Sequence, residues 1–270
     1  MPHSGRVVPR IDTSVPHIAR IYDYWLGGRD NFAADREAAE QAMAVSPTIV
    51  PGVRANRRFL GRAVTCMARA GIRQFLDIGT GIPTTNKTTR NTHQVAQSVA
   101  PDARVVYVDN DPIVLSHARA LLTSTTAPNA FIDADARDTR KILAEAAEFL
   151  DFSQPTAVML IAVLHCIPAE DDPYQLVRNL MDAVPPGSFL AVTHPARDQV
   201  EEAARAEESL TRSMGQKVTF RTREQVSGFF TGLELMDPGV VPVQEWRATS
   251  ALDLSSLPTA MWGGVGVKPF

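Results

Sequence analysis

Phe75-Leu76-Asp77-Ile78-Gly79-Thr80-Gly81 is an apolar run that closes on an acid and then on G-x-G. At the carboxyl end of a strand in an open α/β sheet this is where ligands bind. Gly79 lets the chain turn sharply, and Gly81 removes a side chain that would hold a ligand off the backbone. The third glycine of a dinucleotide-type G-x-G-x-x-G would stand at position 84, which is Thr84, so the helix start that would face a pyrophosphate is altered. A lone G-x-G is as often a plain turn as a binding loop, but two more strand ends follow it. Val105-Val106-Tyr107-Val108-Asp109 is a second apolar run ending in an acid, and a carboxylate there can accept both hydroxyls of a ribose. Asp109 stands 28 residues after Gly81, beyond the roughly 20 of the dinucleotide fingerprint; the polar stretch Pro83–Thr92 reads as an extended loop that takes up the excess. The third strand end carries Asp133-Ala134-Asp135-Ala136-Arg137-Asp138, where an acid can accept from an exocyclic amine such as that of adenine. Taken singly, these acids have bland explanations, a solvated loop for the last and a helix cap for Asp111. Three acid-bearing strand ends in succession point instead to one crevice. His165 follows a fourth apolar run and reads equally as a core histidine or as a group beside a substrate.

Residues so placed need a sheet to carry them. From residue 74 onward short apolar runs alternate with helix-like stretches, the pattern of an α/β domain with a mostly parallel sheet. Strands are expected at Gln74–Ile78, Val105–Asp109, Ala130–Asp133, Ala157–Leu164, Phe189–Thr193, Leu233–Met236 and Gly264–Lys268. Helices are expected at Gln94–Val99, Ile113–Thr123, Thr139–Leu150 and Pro173–Val184. Leu160-Ile161-Ala162-Val163 shows no period-two alternation, as befits a central strand covered on both faces. The charged stretch Asp198–Met214 reads as a solvated helix, and Thr222 with Gln225 as a capping box opening Glu224–Phe230. Before the sheet, residues 14–70 read as a helical extension. Ile18, Ile21, Tyr22 and Trp25 recur at helical spacing, Gly27-Gly28 breaks the pattern, and helices follow at Ala34–Val45 and Arg54–Ala70. No linker separates the extension from residues 71–270, so the two are read as one structural unit, with residues 1–13 as a loose arm.

Composition removes several function classes. A chain of 270 residues, 44% hydrophobic and 21% charged, can bury a full core, which excludes a disulfide-stapled miniprotein and a disordered tail. Its net charge of −3 supplies no basic field for gripping nucleic acid. Cys66 and Cys166 lack C-x-x-C or Cys/His ligand spacing, so no disulfide framework and no metal site is read. The longest apolar run, Ala157–Leu164, is far shorter than the roughly 20 residues of a bilayer span, and Met1–Thr13 has no apolar signal core. The expectation is a cytoplasmic protein that engages neither membrane nor nucleic acid.

The succession of these motifs, ending in Leu160-Ile161-Ala162-Val163-Leu164-His165, is similar to that of class I S-adenosylmethionine-dependent methyltransferases. Upstream, Arg20-Ile21-Tyr22-Asp23-Tyr24-Trp25-Leu26-Gly27-Gly28-Arg29-Asp30-Asn31-Phe32-Ala33-Ala34-Asp35-Arg36, with Arg54-Ala55-Asn56-Arg57-Arg58-Phe59-Leu60, resembles the actinobacterial S-adenosyl methyltransferase family formerly described as a domain of unknown function. The resemblance runs from about Ser14 to Lys268, and its N-terminal block is much more specific than the glycine motif. It implies a Rossmann-like fold with a mostly parallel seven-stranded sheet flanked by helices and S-adenosyl-L-methionine as cofactor; it does not name the methyl acceptor, which is expected to be an O or N atom of a small molecule. It also implies roles. Asp77, Gly79, Thr80 and Gly81 would face the methionine part, Asp109 the ribose, Asn110 the adenine face, and Asp135 and Ala136 the adenine edge. His165 would stand near the methyl group as a base, with Tyr22 in reserve, if the acceptor begins protonated. Tyr22, Tyr24, Arg29, Asp30, Asn31 and Asn56 would belong to a helical lid on the substrate side, although a tyrosine pair at this spacing is often plain packing. Methyl transfer from a sulfonium needs little beyond alignment, so no triad, metal cluster or carboxylate pair is required. Two alternatives stay open: a regulatory protein that holds the cofactor without catalysis, and a nicotinamide-dependent oxidoreductase, against which Thr84 and the long gap to Asp109 argue.

Overall fold

The apolar runs that close on acids form the middle of one sheet. In the computed structural model, which describes residues 12–84, 90–121, 127–249 and 258–270, β1 (Gln74–Ile78) lies between β2 (Arg104–Asp109) and β4 (Ala157–Ile161). β3 (Asn129–Asp133) and β5 (Phe189–Pro195) continue the sheet on either side, all five strands parallel. β8 (Met261–Val267) runs antiparallel to β5, and the two-residue strands β6 (Glu234–Leu235) and β7 (Val241–Pro242) pair with it. The order is β3-β2-β1-β4-β5-β8-β6, seven strands as expected, with β7 added off this path. Strand order reverses between β1 and β4, and that reversal opens a crevice at the carboxyl ends of the central strands.

Both faces of the central strands are apolar because both are covered. Leu76, Ile78, Val106, Val108 and Leu160 pack on Ile142 of α6 (Thr139–Ala146) and on Leu176 and Leu180 of α7 (Pro173–Asp182). On the opposite side Phe75, Val105, Tyr107 and Met159 meet Phe59, Val64 and Met67 of α3 (Ile49–Arg69) and Val95 of α4 (Thr92–Val99). The helix α5 (Pro112–Leu121) follows β2; positions 122 and 123 of its expected span lie outside the described residues, as do residues 1–11 of the expected arm.

A further apolar core joins α1 (Ile18–Trp25) and α2 (Ala33–Val45) to α8 (Ala203–Met214), through Ile21, Trp25, Ala38, Ala39 and Ala42 against Leu210 and Met214. The stretch expected as a solvated helix is thus amphipathic. Ala203, Ala206, Leu210 and Met214 recur at helical spacing and are buried, while the charges face outward. β4 also departs from expectation. It stops at Ile161 because Ala162 takes a left-handed conformation (φ +53°), and a 3-10 turn, Leu164–Cys166, carries the chain across the end of the sheet. α3 starts at Ile49 rather than Arg54; Pro51 is tolerated in the first turn, where its missing N–H has no partner to lose. The capping box at Thr222 and Gln225 opens a shorter helix, α9 (Arg223–Ser227). Among the described residues no helix is long and apolar enough to cross a membrane.

Candidate functional site

The G-x-G loop and the acid of β2 are built as one unit. Gly79 and Gly81 have φ +71° and +66°, and a Cβ on Gly79 would stand 2.3 Å from Val163 Cγ2. At Gly81 the same Cβ would meet nothing within 4 Å, so its absence leaves open space in the crevice. The Gly81 N–H donates to Asp109 Oδ2 at 2.8 Å and the Asp111 N–H to Asp109 Oδ1 at 3.0 Å, which fixes the carboxylate and leaves each oxygen a further lone pair. Burial raises the Asp109 carboxyl above its usual range, against the pull of those two N–H groups. Asp77 is also buried; that burial pushes its carboxyl up to about 6, although Thr92 Oγ1 donates to it at 2.6 Å. At the end of β3, Asp135 accepts from the Arg137 N–H and guanidinium, both at 2.9 Å.

The N-terminal helices close over this crevice. His17 Nδ1 lies 2.9 Å from Asp111 Oδ2, and Arg20 Nε lies 3.4 Å from the same oxygen and 3.5 Å from Asp35. This buried ionic cluster ties the start of α1 to the segment after β2, and it holds the Asp111 carboxyl below its usual range despite burial. One turn further, Tyr22 donates to the Val53 carbonyl at 3.3 Å and accepts from Asn56 Nδ2 at 2.9 Å. Burial raises the Tyr22 phenol above its ordinary value, so its proton stays in place at neutral pH. Asn56 Oδ1 is buried with no hydrogen-bond partner among the described residues.

The resulting cleft encloses about 1040 Å³, its open mouth included. Tyr22, Asn56, Asp77, Gly79, Thr80, Gly81, Asp109, Asn110, Asp135 and Ala136 all line it. Behind it lies a second chamber of about 610 Å³, its open mouth likewise included, and the two share Ile18, Tyr22 and Ala162. His165 lines this second chamber rather than the cleft, 4% exposed, with Nδ1 unpartnered among the described residues. Burial first, and the nearby Arg221 second, lower its pKa to about 4, so the ring is neutral.

Tyr24, Arg29, Asp30 and Asn31, expected on the substrate side, line neither cavity. Tyr24 donates to Glu40 at 2.9 Å, and Arg29 is exposed. Asp23 explains the other two: its Oδ2 accepts from the Asp30 N–H and from Asn31 Nδ2, each at 2.9 Å, so these residues build the turn between α1 and α2. The sequence reading in turn missed His17, Ala162, Arg137 and Gln216, all lining the cleft. It also missed Arg221, a buried guanidinium that donates to the carbonyls of Leu164 and Ile167 at 2.9 Å and pins the His165 turn. The signal for His17 was its position one residue before a helix; Ala162 and Arg221 left none. Among the described residues no three His, Cys, Asp or Glu side chains are grouped to hold a metal ion. Burial pushes the Cys166 thiol up to about 12, which leaves it without nucleophilic character at neutral pH.

The family model described as S-adenosyl methyltransferase matches residues 4–269. The chain belongs to the S-adenosyl methyltransferase family. Its cofactor is S-adenosylmethionine, and the family sets aside both the nicotinamide-dependent and the non-catalytic alternatives. Among solved structures, a DUF574 family protein from Streptomyces avermitilis is 42% identical, with TM-score 0.91 over 96% of this chain and 100% of that one. A methyltransferase candidate from Thermobifida fusca is 39% identical, with TM-score 0.90 over 99% and 100%. The plantazolicin methyltransferase BpumL, solved with SAH, shares the fold at 13% identity and TM-score 0.51, over 93% of this chain and 95% of that one. No curated protein matches the chain.

The cleft of this methyltransferase suits its cofactor on the structure's own terms. It offers a held carboxylate with spare lone pairs at Asp109, room above Gly81, a buried acceptor atom at Asn56 and a second carboxylate at Asp77.

Proposed function

We propose that this S-adenosyl methyltransferase transfers the methyl group to an oxygen or nitrogen atom of a small molecule held in the second chamber. The observation that carries this reading is the adjacency of the two cavities: they share Ile18, Tyr22 and Ala162, and the second is lined mostly by apolar side chains. Asp109 would accept the ribose hydroxyls, Asp135 and Ala136 would meet the adenine edge, and Asp77 with Asn56 would face the charged methionine end. S-adenosylmethionine supplies a methyl group already activated on a sulfonium. The chain's own work is to align an acceptor about 3–3.5 Å from that carbon and to keep water out. Tyr22, with its proton committed to Val53, serves as a wall at the junction rather than as a base. His165, neutral and with Nδ1 unpartnered among the described residues, is the group able to take a proton.

Incubation with methyl-labelled cofactor and fractionated cell extract tests the reading. Label is expected in the low-mass fraction; label confined to protein or RNA would overturn the small-molecule assignment.

A further inference from the structure

Resting on the acceptor reading above, we propose that the molecule in the second chamber is an uncharged phenol, its ring among the apolar walls and its hydroxyl turned to His165. The walls carry the first part of the argument. Trp25, Ile49, Val53, Leu210, Phe220 and Met261 surround the chamber, and among the described residues no Asp, Glu, Lys or Arg lines it. An ionised substituent entering there would lose its water and gain no partner. The hydroxyls present are already committed. Ser46 shares a hydrogen bond of 2.9 Å with Thr48, Thr259 donates to Gln244, and Tyr22 donates to Val53 at 3.3 Å. Among the described residues that line the chamber, His165 alone offers a buried polar side-chain atom still without a partner.

The kind of hydroxyl follows from the kind of base. A buried neutral imidazole beside the Arg221 guanidinium has a lone pair to give but holds a proton weakly. A saturated alcohol would not release its proton to such a base, whereas a phenol, with a pKa of about 10, can do so as its oxygen bonds to carbon. An aliphatic amine would arrive as an ammonium, with no lone pair and no carboxylate to receive it. An aromatic amine has one lone pair, delocalised into its ring, while a phenol oxygen keeps a pair for the methyl carbon as its proton leaves. In the transfer the phenol oxygen forms the new bond to the methyl carbon. The carbon–sulfur bond breaks with its electron pair left on sulfur, and the hydroxyl proton passes to His165 and on to water. Arg221, through Leu164 and Ile167, and the Thr219 N–H, which donates to the His165 carbonyl at 2.8 Å, hold the imidazole in place for this.

The test gives the purified full-length protein S-adenosylmethionine with naphthol, naphthylamine, decahydronaphthol or hydroxynaphthoate, alongside further one- to three-ring phenols, and reads methylated products by mass spectrometry. O-methylation of uncharged phenols is expected, with the amine, saturated alcohol and carboxylate at least about 100-fold slower. Comparable rates for any of those three, or turnover of no phenol, would overturn the assignment. Calorimetry with S-adenosylhomocysteine reads the cofactor cleft alone. If it binds while no phenol reacts, only this inference falls; if it fails to bind, the proposed function falls as well. Naphthol is expected to bind the S-adenosylhomocysteine complex of the wild type but not that of Ala206→Trp, whose chamber is filled; equal binding to both would place the phenol elsewhere. His165→Gln should keep S-adenosylhomocysteine binding and lower turnover of naphthol by about 10²–10⁴-fold, with a smaller loss for more acidic phenols that still enter un-ionised. A loss independent of phenol acidity would make His165 merely structural.

Discussion

Asp77 holds a charge that the fold makes costly. A carboxyl raised from 3.8 to about 6 disfavours folding of the free protein once it ionises, and by linkage that penalty is about 3 kcal/mol above pH 6. The sign is opposite to that of a paired acid: the penalty is absent below the unfolded value of 3.8, grows between pH 4 and 6, and is constant above. A bound ammonium beside Asp77 would favour the carboxylate and lower that pKa. S-adenosylhomocysteine affinity is therefore expected to rise from pH 5 to pH 7 with proton release near pH 6, visible by calorimetry in buffers of different ionisation enthalpy. Asp77→Asn should abolish the proton release; release unchanged in that variant would remove Asp77 from the methionine end. The acids at the strand ends were legible because their position needs only a strand and its direction. Asp30 and Asn31 were not, because the same polar residue types serve a turn when a carboxylate such as Asp23 lies within reach, and that reach is tertiary.

At the scale of elements, α8 separates charge content from burial. Arg205, Glu207, Glu208 and Arg212 make the helix look solvated, yet Ala203, Ala206, Leu210 and Met214 set where it sits. Met214→Ala is expected to cost about 2–5 kcal/mol in urea unfolding, as for other buried methionines, while Glu208→Ala should stay within about 0.5 kcal/mol. Equal small effects would return α8 to the solvated helix its charges suggest. The end of β4 was beyond the sequence for a different reason. Ala162 in a left-handed conformation costs roughly 1–2 kcal/mol relative to an ordinary one, and no local residue type announces it; the surrounding contacts impose it, including the Ala162 N–H donated to Thr193 O at 3.1 Å.

Over the whole molecule, the parallel sheet and its crevice follow from runs of residues close in sequence, so they could be read directly. The second chamber could not. It needs the α1–α2 pair and α8 to come together across most of the chain, as in the contact of Ser213 on α8 with Gln41 on α2, 172 residues apart. That meeting leaves Ile18, Tyr22 and Ala162, among the described residues, as lining common to the two rooms. A guest in either room presses on masonry that belongs to both, so neither can settle without altering what its neighbour feels. Mutual reinforcement is expected, with S-adenosylhomocysteine tightening naphthol by about 5-fold or more and naphthol tightening S-adenosylhomocysteine by the same factor. Titrations of each with and without the other read this directly, and affinities indifferent to the second occupant would mean that the common lining does not yield to either guest.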